Sequence, residues 1–187
     1  GNCLLLDIGG THTRSAVTSE KRPDVLAARQ RWRTVYDYRS FIAKLDDLRK
    51  AGTGTYAKVC VSFGVGLENG VVVGASKMPD FIGRRLGDDL RELFECESFI
   101  AHDCICGLLS VVGHRPVTDA LGYVTISTGI GAGIAFGNGE IDVFQRVRLG
   151  HHVLCVKGEL CQCGRRGCLS AYVDGQAIAA RCGLQLH

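Results

Sequence analysis

Leu4-Leu5-Leu6-Asp7-Ile8-Gly9-Gly10-Thr11-His12-Thr13-Arg14-Ser15-Ala16-Val17 is an apolar run, a glycine pair, and a second run that alternates apolar with polar. It reads as a strand, a tight turn and a returning strand. Glycines at such a turn let backbone N–H groups approach an anion, and Thr11 and Thr13 add hydroxyl donors. A nucleotide phosphate is the natural occupant, with Gly9 and Gly10 as the backbone contacts. Asp7, at the strand end, is placed to hold Mg²⁺ through water, because that ion dehydrates reluctantly. The glycines lead into a strand and not a helix, which argues against a dinucleotide-binding unit. A Gly-Lys-Ser/Thr helix opening is also missing, so this is not a P-loop.

The recipe recurs downstream. Residues 123–127 enter Ser127-Thr128-Gly129-Ile130-Gly131-Ala132-Gly133, and residues 134–136 leave it for the Asn138-Gly139 turn. One such turn is more often a plain hairpin. Two, each followed by an apolar strand, point to a pair of phosphate turns, with Thr128, Gly129 and Gly131 as the second set of contacts. Between them, Val35, Tyr38, Ile42, Leu45 and Leu48 fall at helical spacing, and Gly52 stands where that helix would stop. Residues 58–63 form a β-branched-rich strand, and Asn69-Gly70 before three valines signals a hairpin. Leu86, Leu90, Leu93 and Phe94 mark a second amphipathic helix. Residues 98–101 form a short strand that delivers Asp103, residues 104–112 a buried helix, and a last helix spans about 169–181. Strand–turn–strand units separated by helices imply an α/β protein with mixed sheets. Arg115-Pro116-Val117-Thr118-Asp119 marks the boundary between domains at 1–115 and 116–187.

The 187 residues are 46% apolar and carry a formal charge of +3, an ordinary balance for a globular chain. No apolar run approaches the roughly 20 residues that span a bilayer. The opening apolar stretch lacks the basic flank and cleavage site of a signal peptide. No Lys/Arg-rich helix face points to nucleic acid, and Lys21, Arg22, Arg29, Arg31 and Arg33 read as a solvated surface. The 10 cysteines suit reduced thiols and metal ligation better than a disulfide framework, given an adequate core and no export signal. Cys3, Cys60, Cys104, Cys106 and Cys182 sit in apolar surroundings and read as small buried hydrophobes. His151 precedes Cys161-Gln162-Cys163-Gly164-Arg165-Arg166-Gly167-Cys168. Three thiolates and one imidazole make the closed set that a structural Zn²⁺ requires: His151, Cys161, Cys163 and Cys168. His152 is a competing ligand, and reduced cysteines in a loop are the bland alternative.

Residues 7–17, 126–136 and 161–178 resemble, in this order, the motifs of the ROK family of sugar kinases and sugar-responsive repressors. The resemblance runs from residue 3 to about residue 180. It implies actin-like (ribonuclease H-like) ATPase domains, with the second domain truncated at residue 187. It also implies ATP and a sugar as small-molecule ligands, Mg²⁺, and phosphorylation of a hexose or N-acetylhexosamine hydroxyl in the cytoplasm. A non-catalytic sugar sensor or pseudokinase is the alternative. The family's repressors carry a helix-turn-helix before the phosphate turn, whereas this chain begins at the turn, so neither nucleic acid nor a membrane is expected. A homodimer is left open.

In the family an Asn-Asp pair ends a strand and its Asp is the general base. Here the pair is His102-Asp103, so Asp103 takes that role, with capping of the next helix as its alternative or additional role. Family kinases also hold the sugar through a further Asn and two Glu. An ungapped comparison places Lys77, Arg148 and Ser170 there, beside His102 and the ligand His151. A shift in the Met78-Pro79-Asp80 turn would substitute Asp80 for Lys77. Lys77, His102 and Arg148 move the cleft towards positive charge, which favours an acidic sugar unless the substitutions record decay of an unused site.

Overall fold

A computed structural model describes residues 1–52, 55–75, 78–143 and 149–184. The chain divides into two compact units, Gly1–Asp103 and Cys104–His187.

The first unit contains β1 (Asn2–Ile8), β2 (His12–Ser19), β3 (Arg22–Arg33), α1 (Tyr38–Ala51), β4 (Lys58–Phe63), β5 (Gly66–Glu68), β6 (Val71–Gly74), α2 (Leu86–Phe94) and β7 (Glu97–Ala101). Its main sheet has the order β3-β2-β1-β4-β7. The β1–β2 and β2–β3 pairs are antiparallel, while β1–β4 and β4–β7 are parallel. This is a mixed sheet, as the alternation of hairpin and helix signals requires. Leu4, Leu6 and Ile8 lie opposite Val59, Val61 and Phe63, all on one face and all buried. Against that cluster pack Tyr38, Phe41 and Leu45 of α1 and Leu86, Leu90 and Phe94 of α2, spaced to share one side of each helix. Phe81 sits at the centre. It is fully buried and meets the rings of Tyr38, Phe41 and Phe63 edge-on at 4.9, 5.2 and 5.7 Å.

The periodic elements stand where the sequence predicts them. Asp37 caps α1 by accepting from the Ser40 N–H at 2.7 Å, and Asn69-Gly70, both with positive φ, turns β5 into β6. The long strand β3 has no counterpart in the sequence reading. It is an edge strand whose arginines give no period-2 apolar signal. Arg22, Arg29, Arg31 and Arg33 are exposed, and a bulge near Ala28, with φ of 47°, bends the strand.

Helix α3 (Asp103–Val112) starts on the last residue of the first unit. The second unit continues with β8 (Ala120–Ile126), β9 (Ile130–Phe136), β10 (Ile141–Val143), α4 (Ser170–Val173) and α5 (Gly175–Cys182). Its sheet is antiparallel in the order β10-β9-β8. The single last helix expected from the sequence is two helices. Asp174 is extended at ψ 164°, and its carboxylate accepts from the Ala177 N–H at 2.8 Å, so it caps a new helix instead of continuing the old one. Cys182 is exposed, against the expectation that it is buried, because it lies in the last turn of α5; Cys3 and Cys104 are buried, and Cys60 and Cys106 are half-buried. Burial pushes the Cys60 thiol above its ordinary range. Among the described residues, no helix is long and apolar enough to cross a membrane.

Candidate functional site

The first turn is held from behind. The Gly9 N–H donates to the His12 carbonyl at 3.0 Å, and a Cβ on Gly9 would come within 2.9 Å of that oxygen. The Thr34 hydroxyl donates to the Gly9 carbonyl at 2.7 Å, and the Tyr36 hydroxyl to the Gly10 carbonyl at 2.8 Å. In a trans peptide the N–H points opposite to the C=O. Fixing the Gly9 and Gly10 carbonyls therefore turns the Gly10 and Thr11 N–H groups the other way, as an anion needs. Neither Thr34 nor Tyr36 was singled out from the sequence. They lie 25 and 26 residues away from their acceptors and bear no local motif.

Asp7 lies on the sheet face opposite the core. Its Oδ2 accepts from Arg14 at 2.8 Å and its Oδ1 from the Ser62 hydroxyl at 3.2 Å, both across neighbouring strands in register. The carboxylate is thus oriented from two sides, yet its side chain remains 46% exposed. Thr13 departs from the expected role of phosphate donor. The alternation of β2 puts it on the core face, fully buried, with its hydroxyl 3.0 Å from that of Thr34. It braces the turn instead. His12 and Arg14 take the outer face, opposite Arg33 and Arg31. Partial burial, and then the Arg31, Arg33 and Arg14 guanidiniums, hold His12 below the ordinary imidazole range.

In the second unit, β8 and β9 pair up to Ile126 and Ile130. The Ser127 N–H closes the turn on the Gly129 carbonyl at 2.8 Å, and the Ser127 carbonyl accepts from the Gly175 N–H at 2.6 Å. Any side chain on Gly175 would start 2.7 Å from that carbonyl, so the first residue of α5 must be small. Gly129 is exposed, Thr128 half-buried, and Gly131 pairs with Thr125 in the ladder. The Asp174-Gly175 pair was legible only as part of a helix, although an Asp before a Gly inside a helical stretch is itself a capping signal.

The parallel strands β1, β4 and β7 end along one edge of their sheet, where Ile8 lies opposite Phe63 and Ser62 opposite Ala101. The residues that follow are the Gly9–Thr11 turn, Gly64 and the His102-Asp103 pair. His102 Nδ1 is 2.8 Å from Asp103 Oδ1, and the Asp103 side chain is 45% exposed. Asp103 is the first residue of α3, where a carboxylate is favoured by the helix dipole.

His151 lies in a single 3-10 turn, Leu149–His151. Its ring and the thiols of Cys161, Cys163 and Cys168 bring their ligand atoms within 4.8 Å of one another. Zn–S bonds of about 2.3 Å and a Zn–N bond of about 2.05 Å in tetrahedral array give edges of about 3.75 and 3.55 Å. The Cys163–Cys168 sulfurs stand 3.7 Å apart, and Cys161 Sγ lies 3.6 Å from His151 Nδ1. The donor set fits zinc in both chemistry and spacing. His152 is outside the group: its N–H donates to the Leu149 carbonyl and its carbonyl accepts from Leu169. The backbone N–H of Arg165, then its guanidinium and the neighbouring thiols, hold the Cys163 thiol down to about 7, while burial pushes Cys168 up to about 11. The Arg165 side chain also reaches the His151 carbonyl at 3.2 Å.

Of the remaining expected sugar contacts, Lys77 and Arg148 lie outside the described residues. Ser170 is buried, and a Cβ on Gly150 would overlap its hydroxyl. Asp80, the alternative to Lys77, accepts from the Tyr38 N–H at 2.7 Å and so anchors the start of α1.

The family model of the ROK family matches residues 3–187. The N-acetylmannosamine kinase of Yersinia pseudotuberculosis is 31% identical over 201 residues, covering 96% of this chain. The chain spans 63% of that relative's length. The structure resembles a ROK family glucokinase from Streptomyces griseus in complex with glucose and AMPPNP, with a TM-score of 0.78 and 20% identity, covering 96% of this chain and 59% of that one. It also resembles a ROK family transcriptional regulator, with a TM-score of 0.71 and 20% identity, covering 96% of this chain and 48% of that one. The likeness extends to the actin-like α/β fold expected from the sequence.

Proposed function

Because the chain belongs to the ROK family, we propose that it forms the phosphate-binding and sugar-binding part of an ATP-dependent sugar kinase of the cytoplasm. The hydroxyl phosphorylated would be that of a hexose or an N-acetylhexosamine. The observation that supports this most is the shared edge of β1, β4 and β7. A turn with outward N–H groups and the Asp103 carboxylate follow parallel strands at that edge, and the oriented Asp7 carboxylate lies in the last residues of β1 beside them. The crevice outside the carboxyl ends of parallel strands is the usual ligand site of open α/β sheets.

In this reading the N–H groups of Gly10 and Thr11 receive the terminal phosphates of ATP. Thr128, Gly129 and Gly131 form the second phosphate turn. Asp7 would hold Mg²⁺ through water, and the ion would neutralise charge on the phosphate oxygens. Asp103 accepts the proton of the sugar hydroxyl as that oxygen attacks the γ-phosphorus and ADP leaves. Such a base typically contributes 10²–10⁴-fold. His151, Cys161, Cys163 and Cys168 would hold a structural zinc as a full set of four ligands, so the ion would order the loop and would not activate water.

ATP consumption by the native protein, measured against a panel including glucose, N-acetylmannosamine and a hexuronate, tests the reading. The rival reading, a sugar-sensing regulator or pseudokinase, draws support from Ser170, a short buried hydroxyl where family kinases carry a Glu. Sugar binding without turnover would favour the rival, and no binding to any member of the panel would refute both.

A further inference from the structure

The Asp103 carboxylate is held at one oxygen and given room at the other. Oδ1 lies 2.8 Å from His102 Nδ1. Oδ2 faces Gly64, where an added Cβ would sit 2.9 Å from Oδ2 and 3.3 Å from Cγ. These contacts come from two strand ends, β4 and β7, that are neighbours in the sheet. The terminal torsion of an aspartate is broad, so without restraint its carboxylate plane is poorly defined. The contact with His102 restrains one oxygen, and the other occupies space that any side chain at position 64 would fill. Gly64 itself has no positive φ to explain its identity, which leaves the carboxylate as the group that requires the missing Cβ.

We propose that His102 and Gly64 are positioning residues for Asp103: the imidazole, protonated on Nδ1, sets the plane of the carboxylate, and Gly64 supplies the space it occupies. This rests on the reading of Asp103 as the proton acceptor. It also gives His102 a role other than sugar contact, since its Nδ1 is engaged by the carboxylate. An Asn at the same place carries an amide N–H that can take the position of Nδ1, so the donor matters and the ring does not. Misplacing a reacting group by about 1 Å costs on the order of 10²-fold, so loss of the His102 donor or filling of the space at Gly64 should appear in kcat.

The test compares native protein with His102→Asn, His102→Leu and Gly64→Ala, measuring kcat, KM, sugar affinity by calorimetry and thermal unfolding. Expected are a kcat within about threefold of native for His102→Asn, a loss of at least tenfold for His102→Leu, and a loss on the order of 10²-fold for Gly64→Ala, with sugar affinity and unfolding temperature nearly unchanged. A His102→Leu variant that keeps native kcat, or that loses sugar affinity while kcat holds, overturns the proposal. If the native protein turns over no sugar, the kinase reading fails separately, and ¹⁵N–¹H spectra of the imidazole decide the positioning claim. A proton on Nδ1 that is lost or shifted in Asp103→Ala supports it, and a neutral imidazole carrying its proton on Nε2 in the native protein sinks it.

Discussion

Replacing Gly167 by alanine, with Gly164 as the internal control, asks how tightly the metal knuckle is built. Both glycines adopt the left-handed region, with φ of +84° at Gly164 and +72° at Gly167. A non-glycine residue there costs about 1–2 kcal/mol. The strain falls on the metal-bound form, because the metal-free loop can relax, and metal binding and loop folding share one free energy. Around Gly164 nothing lies within 4 Å of an added Cβ, so the conformational cost stands alone. Zinc affinity should then fall roughly 5–30-fold. At Gly167 the added Cβ would overlap the Cys155 carbonyl, which is backbone and cannot swing aside. That carbonyl accepts from the Gly158 N–H at 2.9 Å, and the Gly167 carbonyl accepts from the Leu154 N–H at 2.7 Å. Losing these two bonds adds about 1 kcal/mol each, for a total of about 3–4 kcal/mol. The expected drop in zinc affinity is at least about 100-fold. Competition against a chromophoric chelator at fixed pH measures both variants, after elemental analysis of untreated native protein has found one zinc per chain. Equal losses at Gly164 and Gly167 would refute the packing argument, and native protein without zinc would refute the metal site itself.

Asp103→Asn should lower phosphoryl transfer by at least 10²-fold with ATP and sugar binding retained, and a variant keeping more than about a tenth of native activity would exclude Asp103 as the base. Phe81→Ala removes the ring on which Tyr38, Phe41 and Phe63 converge, and should destabilise the first unit by about 3–5 kcal/mol in denaturant titration, without altering zinc content. Asp174→Ala strips the cap from α5 and should cost about 1 kcal/mol, most of it restored by Asp174→Asn, as read by the same titration. Cys163→Ser should release zinc and loosen the second unit, with limited proteolysis between residues 151 and 168 as the readout.

What could be read along the chain was what is encoded locally. The Gly9-Gly10 turn, the Asn69-Gly70 hairpin, the apolar spacing of α1 and α2 and the His–Cys–Cys–Cys knuckle each depend on residues within one short stretch of chain, and each is a pattern of backbone freedom, burial or ligand chemistry. Local reading even pointed to His151 as a ligand, but could not exclude His152, since adjacent histidines differ only in the direction the backbone gives them. Tertiary structure decided the rest. Strand β3 has no alternating apolar face because a sheet edge leaves its arginines in water, so its existence depends on pairing with β2. Thr13 looked like a phosphate donor until the pleat of β2 turned it to the core. The orientation of the first turn comes from Thr34 and Tyr36, and the setting of Asp103 from Gly64, residues far away in sequence that only the closing of the sheet brings near. A chain specifies its turns and periods through neighbours, but the aim of a functional group is set by whichever distant backbone packs against it.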